Sequence, residues 1–133
     1  MTDRPRRVHG IGGVFFKADD PDALSAWYAK HLDVGGEGWG GHIFKWKRDD
    51  TGAPAQTVWS PFKASTEYFQ PSDKPYMVNL RVDDLDATLA ALRAEGCNVL
   101  ERYDASEQGK FGYVLDPEGG LVELWEPAPE GDE

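Results

Sequence analysis

Apolar and polar positions alternate from Gly10 to Lys17, where Val14 and Phe16 are set against Gly13, Phe15 and Lys17; a period of two predicts a strand. Asp19-Asp20-Pro21 then signals a helix start. The Asp20 carboxylate can accept from first-turn N–H groups, and Pro21 lacks an N–H where none is needed. Leu24, Trp27, Tyr28 and His31 follow at i, i+3, i+4 and i+7, one face of that helix, and Gly35-Gly36 ends it. Short strands are predicted near Glu37–Trp39, His42–Lys47 and Gln56–Ser60, with Asp49-Asp50-Thr51-Gly52 turning between the last two. From Pro61 to Pro75 no period survives and three prolines interrupt the chain, which predicts a connection.

Alternation returns at Met77–Val82. Asp83-Asp84 caps a second helix carrying Leu85, Leu89 and Leu92 on one face, and Gly96 stops it. Asn98–Tyr103, Lys110–Leu115 and Leu121–Trp125 are predicted strands, with Asp116-Pro117-Glu118-Gly119-Gly120 as the turn before the last. The tail Pro127–Glu133 is expected to fray. Both halves thus run strand, capped helix, three strands. Asp20 and Asp84 lie 64 residues apart, and Trp59-Ser60-Pro61 matches Trp125-Glu126-Pro127 at a spacing of 66. Such self-similarity predicts a duplication. The expected fold is α+β, a single domain over 1–133. It comprises two βαβββ modules, 10–62 and 77–127, joined by a connection at 63–76, with a curved mixed sheet enclosing a cavity.

Composition narrows the functions. A chain of 133 residues suits one domain with its own core. Its 24 acidic and 14 basic side chains give a net charge of -10, which argues against nucleic acid and against an anionic membrane surface. One cysteine, Cys97, excludes an intrachain disulfide and a multi-cysteine zinc site, and is expected to be a small buried residue. No apolar run approaches the roughly 20 residues of a membrane span. The basic start, Met1 to Arg7, leads into a strand instead of a signal-peptide apolar region, so a cytoplasmic protein is expected. The 5 Trp, 5 Tyr and 6 Phe residues call for an aromatic core or a pocket lined with rings.

Alternation also sorts the two sheet faces. Val14, Phe16, Val58, Val78, Leu80, Val82, Val122 and Leu124 form an aliphatic face for the helices. The other face takes Gly13, Phe15, Lys17, Thr57, Trp59, Met77, Asn79, Arg81, Leu121, Glu123 and Trp125, a mixture of rings and few polar groups such as ligand pockets show. The candidate ligand-binding residues are Phe15, Trp59, Met77, Asn79, Arg81, Tyr113 and Trp125, although Tyr113 stands on a strand without clean alternation. Trp59 and Trp125 serve equally as stacking surfaces or as packing at equivalent repeat positions. Glu123, among rings, is the candidate catalytic base; an ion pair with Arg81 or Lys17 is the alternative. Of the histidines, His9 is expected at a solvated end and His31 at a helix C-terminus; His42, at the start of a strand, is a candidate ligand or acid–base group.

Three stretches carry a family likeness: Ala18-Asp19-Asp20-Pro21 with Trp27-Tyr28, Val82-Asp83-Asp84-Leu85-Asp86, and the run from Leu115 to Trp125. Over residues 10–127 the chain resembles the vicinal oxygen chelate superfamily, which includes glyoxalase I, extradiol dioxygenases and bleomycin-resistance proteins. The resemblance implies the duplicated fold and a homodimer. In metal-using members it implies four ligands on the concave strands, which here fall on Gly13, Thr57, Met77 and Glu123. Only Glu123 is a strong ligand type, so no cofactor is expected and a divalent metal is disfavoured, unless a non-standard site joins Glu123 to His42. The expected function is a glyoxalase-like protein that binds an aromatic or apolar small molecule in the concave sheet without the usual metal. Two alternatives stay open: a metal-dependent lyase or isomerase of the glyoxalase type, and a non-catalytic interaction module.

Overall fold

Among residues 6–129, which the computed structural model describes, the elements run β1 (Val8–Ala18), α1 (Pro21–Leu32), β2 (His42–Lys47), β3 (Pro54–Lys63), β4 (Tyr76–Val82), α2 (Leu85–Ala94), β5 (Asn98–Ser106), β6 (Gly109–Leu115) and β7 (Leu121–Pro127). The start of the basic N-terminal segment and the last four residues of the acidic tail lie outside the described residues. Both predicted caps form: Asp20 Oδ1 accepts from Ala23 N–H at 3.1 Å and Asp84 Oδ1 from Ala87 N–H at 3.0 Å. Each such cap stabilises its helix by about 1 kcal/mol. α1 ends earlier than the glycine pair, at Asp33, which adopts the left-handed conformation with φ 60° while its N–H bonds Tyr28 O.

The seven strands form one sheet in the order β2-β3-β1-β4-β7-β6-β5. β1 and β4 pair antiparallel at its centre; each then has a parallel neighbour, β3 beside β1 and β7 beside β4. The duplication is therefore visible as two half-sheets meeting at β1–β4. One predicted strand does not form. Glu37–Trp39 makes bends, because Gly38 and Gly40 take positive φ of 89° and 97°, which interrupts any extended run. The first half accordingly has two strands after its helix, where the second has three.

Three further expectations are corrected. Parallel register sets Gly13 opposite Val58 and Val14 opposite Trp59, so Val58 belongs to the concave face, while Thr57 and Trp59 belong to the helix side. Cys97 is exposed, because it lies between the turn that ends α2 and the start of β5. His9 lies inside β1 and is buried, 8% exposed.

Each face of the sheet has its own core. On the helix side Val82, Leu85, Leu89 and Leu124 pack together. There α2 sits so close to β6 that a Cβ on Gly112 would lie 2.8 Å from Leu89 Cδ1. α1 buries no residue; Tyr28 anchors it, its ring 4.7 Å from that of Trp59. On the concave side Phe69, Met77, Tyr113 and Leu121 form a second cluster. The connection between the halves brings Tyr68 and Phe69 to that cluster, so it forms a wall of the concave face and is more than a tether. Gly112→Val is expected to overpack the α2–β6 contact and cost about 1–3 kcal/mol, read as a fall in Tm; an unchanged Tm would show that α2 is not held at that distance.

Candidate functional site

The concave face holds a cavity of about 580 Å3. Phe15 from β1, Val58, Ser60 and Phe62 from β3, Tyr68 from the connection and Phe111 from β6 make its walls, with Asn79, Glu123 and Trp125 on β4 and β7. Phe111 and Trp125 are directly opposite in the β6–β7 register, and their rings lie parallel within 3° at 5.9 Å. Close approach is required at Gly12, where a Cβ would overlap Asn79 Oδ1 and the Trp125 ring.

At the sheet centre, register brings together Gly13, Val58, Asn79 and Glu123. Glu123 is 2% exposed. Three donors converge on it: Asn79 Nδ2 on Oε1 at 2.7 Å, and Tyr68 Oη and Tyr113 Oη on Oε2 at 2.5 and 2.9 Å. Such charge-assisted hydrogen bonds replace lost hydration. Because the carboxylate takes an N–H of Asn79, the amide orientation follows, and Asn79 Oδ1 is left buried with no donor among the described residues. An acceptor left in that state beside a cavity is uncommon in a folded protein.

The two phenols are perturbed in the same direction. Burial first, then the Glu123 charge, raise both Tyr68 and Tyr113 well above an ordinary tyrosine. They therefore stay protonated and act as donors. The Arg102 guanidinium stacks on both rings, 4.4 Å from the centroid of Tyr68 and 4.1 Å from that of Tyr113, and its Nη1 donates to Tyr68 O. Arg102 thus ties the connection to β5 behind the carboxylate.

Among the predicted site residues, Phe15, Asn79, Glu123 and Trp125 meet at the cavity. Tyr113 stands behind Glu123 and reaches it through its hydroxyl. Met77, opposite Phe15 in register, is wholly buried in the concave core and is not part of the cavity lining. Trp59 packs under α1 against Tyr28 and Phe16. Arg81 is buried below Trp125, 5.1 Å from its ring, and its Nε donates to His9 Nε2 at 3.0 Å. The hydrogen bonds found for Glu123 come from neither Arg81 nor Lys17; Lys17 lies over the Phe69 ring. His42 faces the helix side opposite Trp59, where Nδ1 meets Gly35 N–H at 2.9 Å and Glu37 Oε2 at 3.0 Å. His31 stacks on Trp27 at the end of α1, 5.0 Å between centroids.

Reasoning from the sequence missed Tyr68. Its signal was present in the adjacent rings of Tyr68-Phe69 within an otherwise polar, proline-rich segment. It also missed Val58 and Ser60 as cavity walls, for the register reason given above, Phe62 because β3 runs on to Lys63 past the predicted end at Ser60, and Phe111 because β6 has no clean alternation.

Four ligands at the sheet centre would have to come from the register quartet. Two of its members, Gly13 and Val58, carry no donor atom, and Asn79 and Glu123 are bonded to each other. Among the described residues no three His, Cys, Asp or Glu side chains gather as a metal site would need. The donor set here does not fit the divalent metal that the resemblance implies.

Two outcomes follow from the electrostatics. In Glu123→Gln the loss of the negative charge should let Tyr68 and Tyr113 titrate at lower pH than in the unaltered protein, though still above an ordinary tyrosine because burial remains; NMR of ring-labelled tyrosine reads this. His9 has its pKa pushed below the ordinary 6.5 by burial and then by the Arg48 guanidinium. As pH falls through that ordinary value the unfolded chain takes up a proton that the folded one refuses, so stability declines with falling pH. His9→Gln, whose amide oxygen can take the Arg81 N–H, should flatten that decline in urea unfolding.

A family model for a glyoxalase-like domain matches residues 13–125. Solved structures share the fold. Methylmalonyl-CoA epimerase from Mycobacterium tuberculosis is 22% identical, with 97% of this chain and 95% of that one covered and a TM-score of 0.58. A single-residue variant of Streptomyces coelicolor methylmalonyl-CoA epimerase, in complex with 2-nitronate-propionyl-CoA, is 18% identical over 92% of this chain and 96% of its own, with a TM-score of 0.63. NAD-dependent benzaldehyde dehydrogenase from Legionella pneumophila is 14% identical over 85% and 96%, with a TM-score of 0.56. A search of curated proteins returns no match. With most of its length matched by that model and a seven-stranded curved sheet of the vicinal oxygen chelate type, the chain belongs to the glyoxalase-like domain family.

Proposed function

We propose that this chain binds a small aromatic or apolar molecule in the concave cavity, without a divalent metal, and holds it through Asn79 and Glu123. One observation carries the reading: the side chains of Glu123 and Asn79 are paired in the lining of a cavity walled by rings, and Asn79 Oδ1 beside them has no donor among the described residues. Two acceptors together select a ligand that brings donors. The charged residues that line the cavity, Glu107 and Glu123, are both acidic. A neutral or cationic N–H group therefore suits the floor, whereas an anionic group would meet no lysine or arginine in the lining. This separates the chain from its structural neighbours seen with coenzyme A esters, whose phosphates are anionic. The second reading is turnover as a metal-free lyase or isomerase, in which Glu123 takes a proton from the bound molecule; the place of this carboxylate in the cavity lining favours it.

The homodimer implied by the resemblance belongs to the same proposal. It is supported by Ile11, Val14 and Tyr76 on the helix side of β1 and β4, which are 47%, 36% and 47% exposed.

Titration calorimetry with benzamidine, benzamide and benzoate tests the site. Saturable binding is expected for the first two, weakened about ten-fold or more, or about 1.4 kcal/mol, by Glu123→Gln with little change in Tm; Asn79→Leu should weaken it as much and also lower Tm, because the buried carboxylate loses a donor. Chelators should leave affinity unchanged. Binding of benzoate in preference, or binding insensitive to both substitutions, would refute the reading.

A further inference from the structure

We infer that Tyr113 and Asp104 form a proton relay that connects Glu123 to solvent through an exposed carboxylate outside the cavity lining. The inference rests on the proposed role of Glu123 as a proton acceptor and adds the route by which that proton leaves. Tyr113 Oη lies 2.9 Å from Glu123 Oε2, 3.0 Å from Asp104 Oδ2 and 3.0 Å from Tyr68 Oη. All three distances are within hydrogen-bond reach, yet a phenol has a single proton. Tyr68 gives its own proton to Glu123 across 2.5 Å. The Tyr113 proton can then face Glu123 or Asp104, but not both, and the two arrangements differ only by rotation of one O–H bond.

The ends of this chain of oxygens differ in exposure. Glu123 and Tyr113 are 2% and 0% exposed, whereas the Asp104 side chain is 53% exposed. Asp104 is held in place by Arg102, whose Nε lies 3.3 Å from Oδ2 and whose guanidinium also stacks on the Tyr113 ring. Register accounts for the alignment: Tyr113 is directly opposite Glu123 in β6–β7, and Asp104 is opposite Phe111 in β5–β6, two residues along the same face.

The transfer balances without a co-reactant. The ligand's donor bond to hydrogen breaks and a bond forms at Glu123 Oε2. That proton passes to Tyr113 Oη as the proton of Tyr113 passes to Asp104 Oδ2. Asp104 then releases it to water, and Glu123 and Asp104 are carboxylates again. A relay of this kind matters when a bound molecule fills the cavity and closes the other path to solvent.

The test reads the Tyr113 hydroxyl proton directly, by NMR exchange with water in protein carrying ring-labelled tyrosine, with Tyr113→Phe to assign the signal. Asp104→Asn keeps the acceptor oxygen and the shape but cannot carry the proton. The relay predicts exchange at least ten-fold slower in Asp104→Asn, and recovery in Asp104→Glu. Exchange that is unchanged or faster in Asp104→Asn overturns it, since the proton would then enter from the cavity. No ligand is needed, so a failed search for ligands would sink the functional reading alone, and exchange blind to Asp104 would sink the relay alone.

Discussion

Burying a carboxylate strips its hydration at a cost of several kcal/mol unless donors replace the water. At Glu123 the replacement comes from three separate parts of the chain: Asn79 on β4, Tyr113 on β6 and Tyr68 on the connection between the halves. Each donor is in reach only if its element is in place. The β4–β7 register must set Asn79 beside Glu123, the β6–β7 register must set Tyr113 opposite it, and the connection must fold back over the concave face. The site therefore depends at once on the strand register of the second half and on the path of the connection. Arg102 reinforces the arrangement from behind by stacking on both phenols, so that its charge lies near a group otherwise surrounded by neutral donors.

The duplication makes the asymmetry of the site intelligible. Register places Gly13 and Val58 in the first half where Asn79 and Glu123 stand in the second. One half supplies an apolar, nearly side-chain-free floor; the other supplies the polar pair. Gly12 extends this division, since anything larger would displace Asn79 and Trp125. The polar groups of the cavity floor therefore come from the second half, and the first half leaves room above them. This also explains why a symmetric four-ligand metal site does not fit here, although the sheet has the curvature of its family.

The histidines illustrate how position overrides residue type. His42 stands next to Ile43, which lines the cavity, yet its own ring points to the helix side. His9 accepts the Arg81 Nε–H beneath Trp125 and so supports the cavity floor from outside it.

The sequence alone determined a good deal. Both helix starts were legible because an Asp before a helical face is a local capping signal, and the strands of the second half because period-two alternation is local as well. The duplication, the concave positions of Phe15, Asn79, Glu123 and Trp125, and the poverty of metal donors followed from these. What tertiary structure decided is register. The match of Trp59-Ser60-Pro61 to Trp125-Glu126-Pro127 suggested equivalent faces, but Val14 pairs with Trp59 while Arg81 pairs with Trp125, and those partners face opposite sides. Side chains repeat every two residues in a strand, so a slip of one exchanges the faces; this is why Val58 and Trp59 exchanged places. Tyr68 and the Tyr113–Asp104 contact lay beyond sequence reasoning for a related reason. A connection without a period carries no local record of which sheet face it will cover, and contacts across 55 and 9 residues are set only when the strands between them pair.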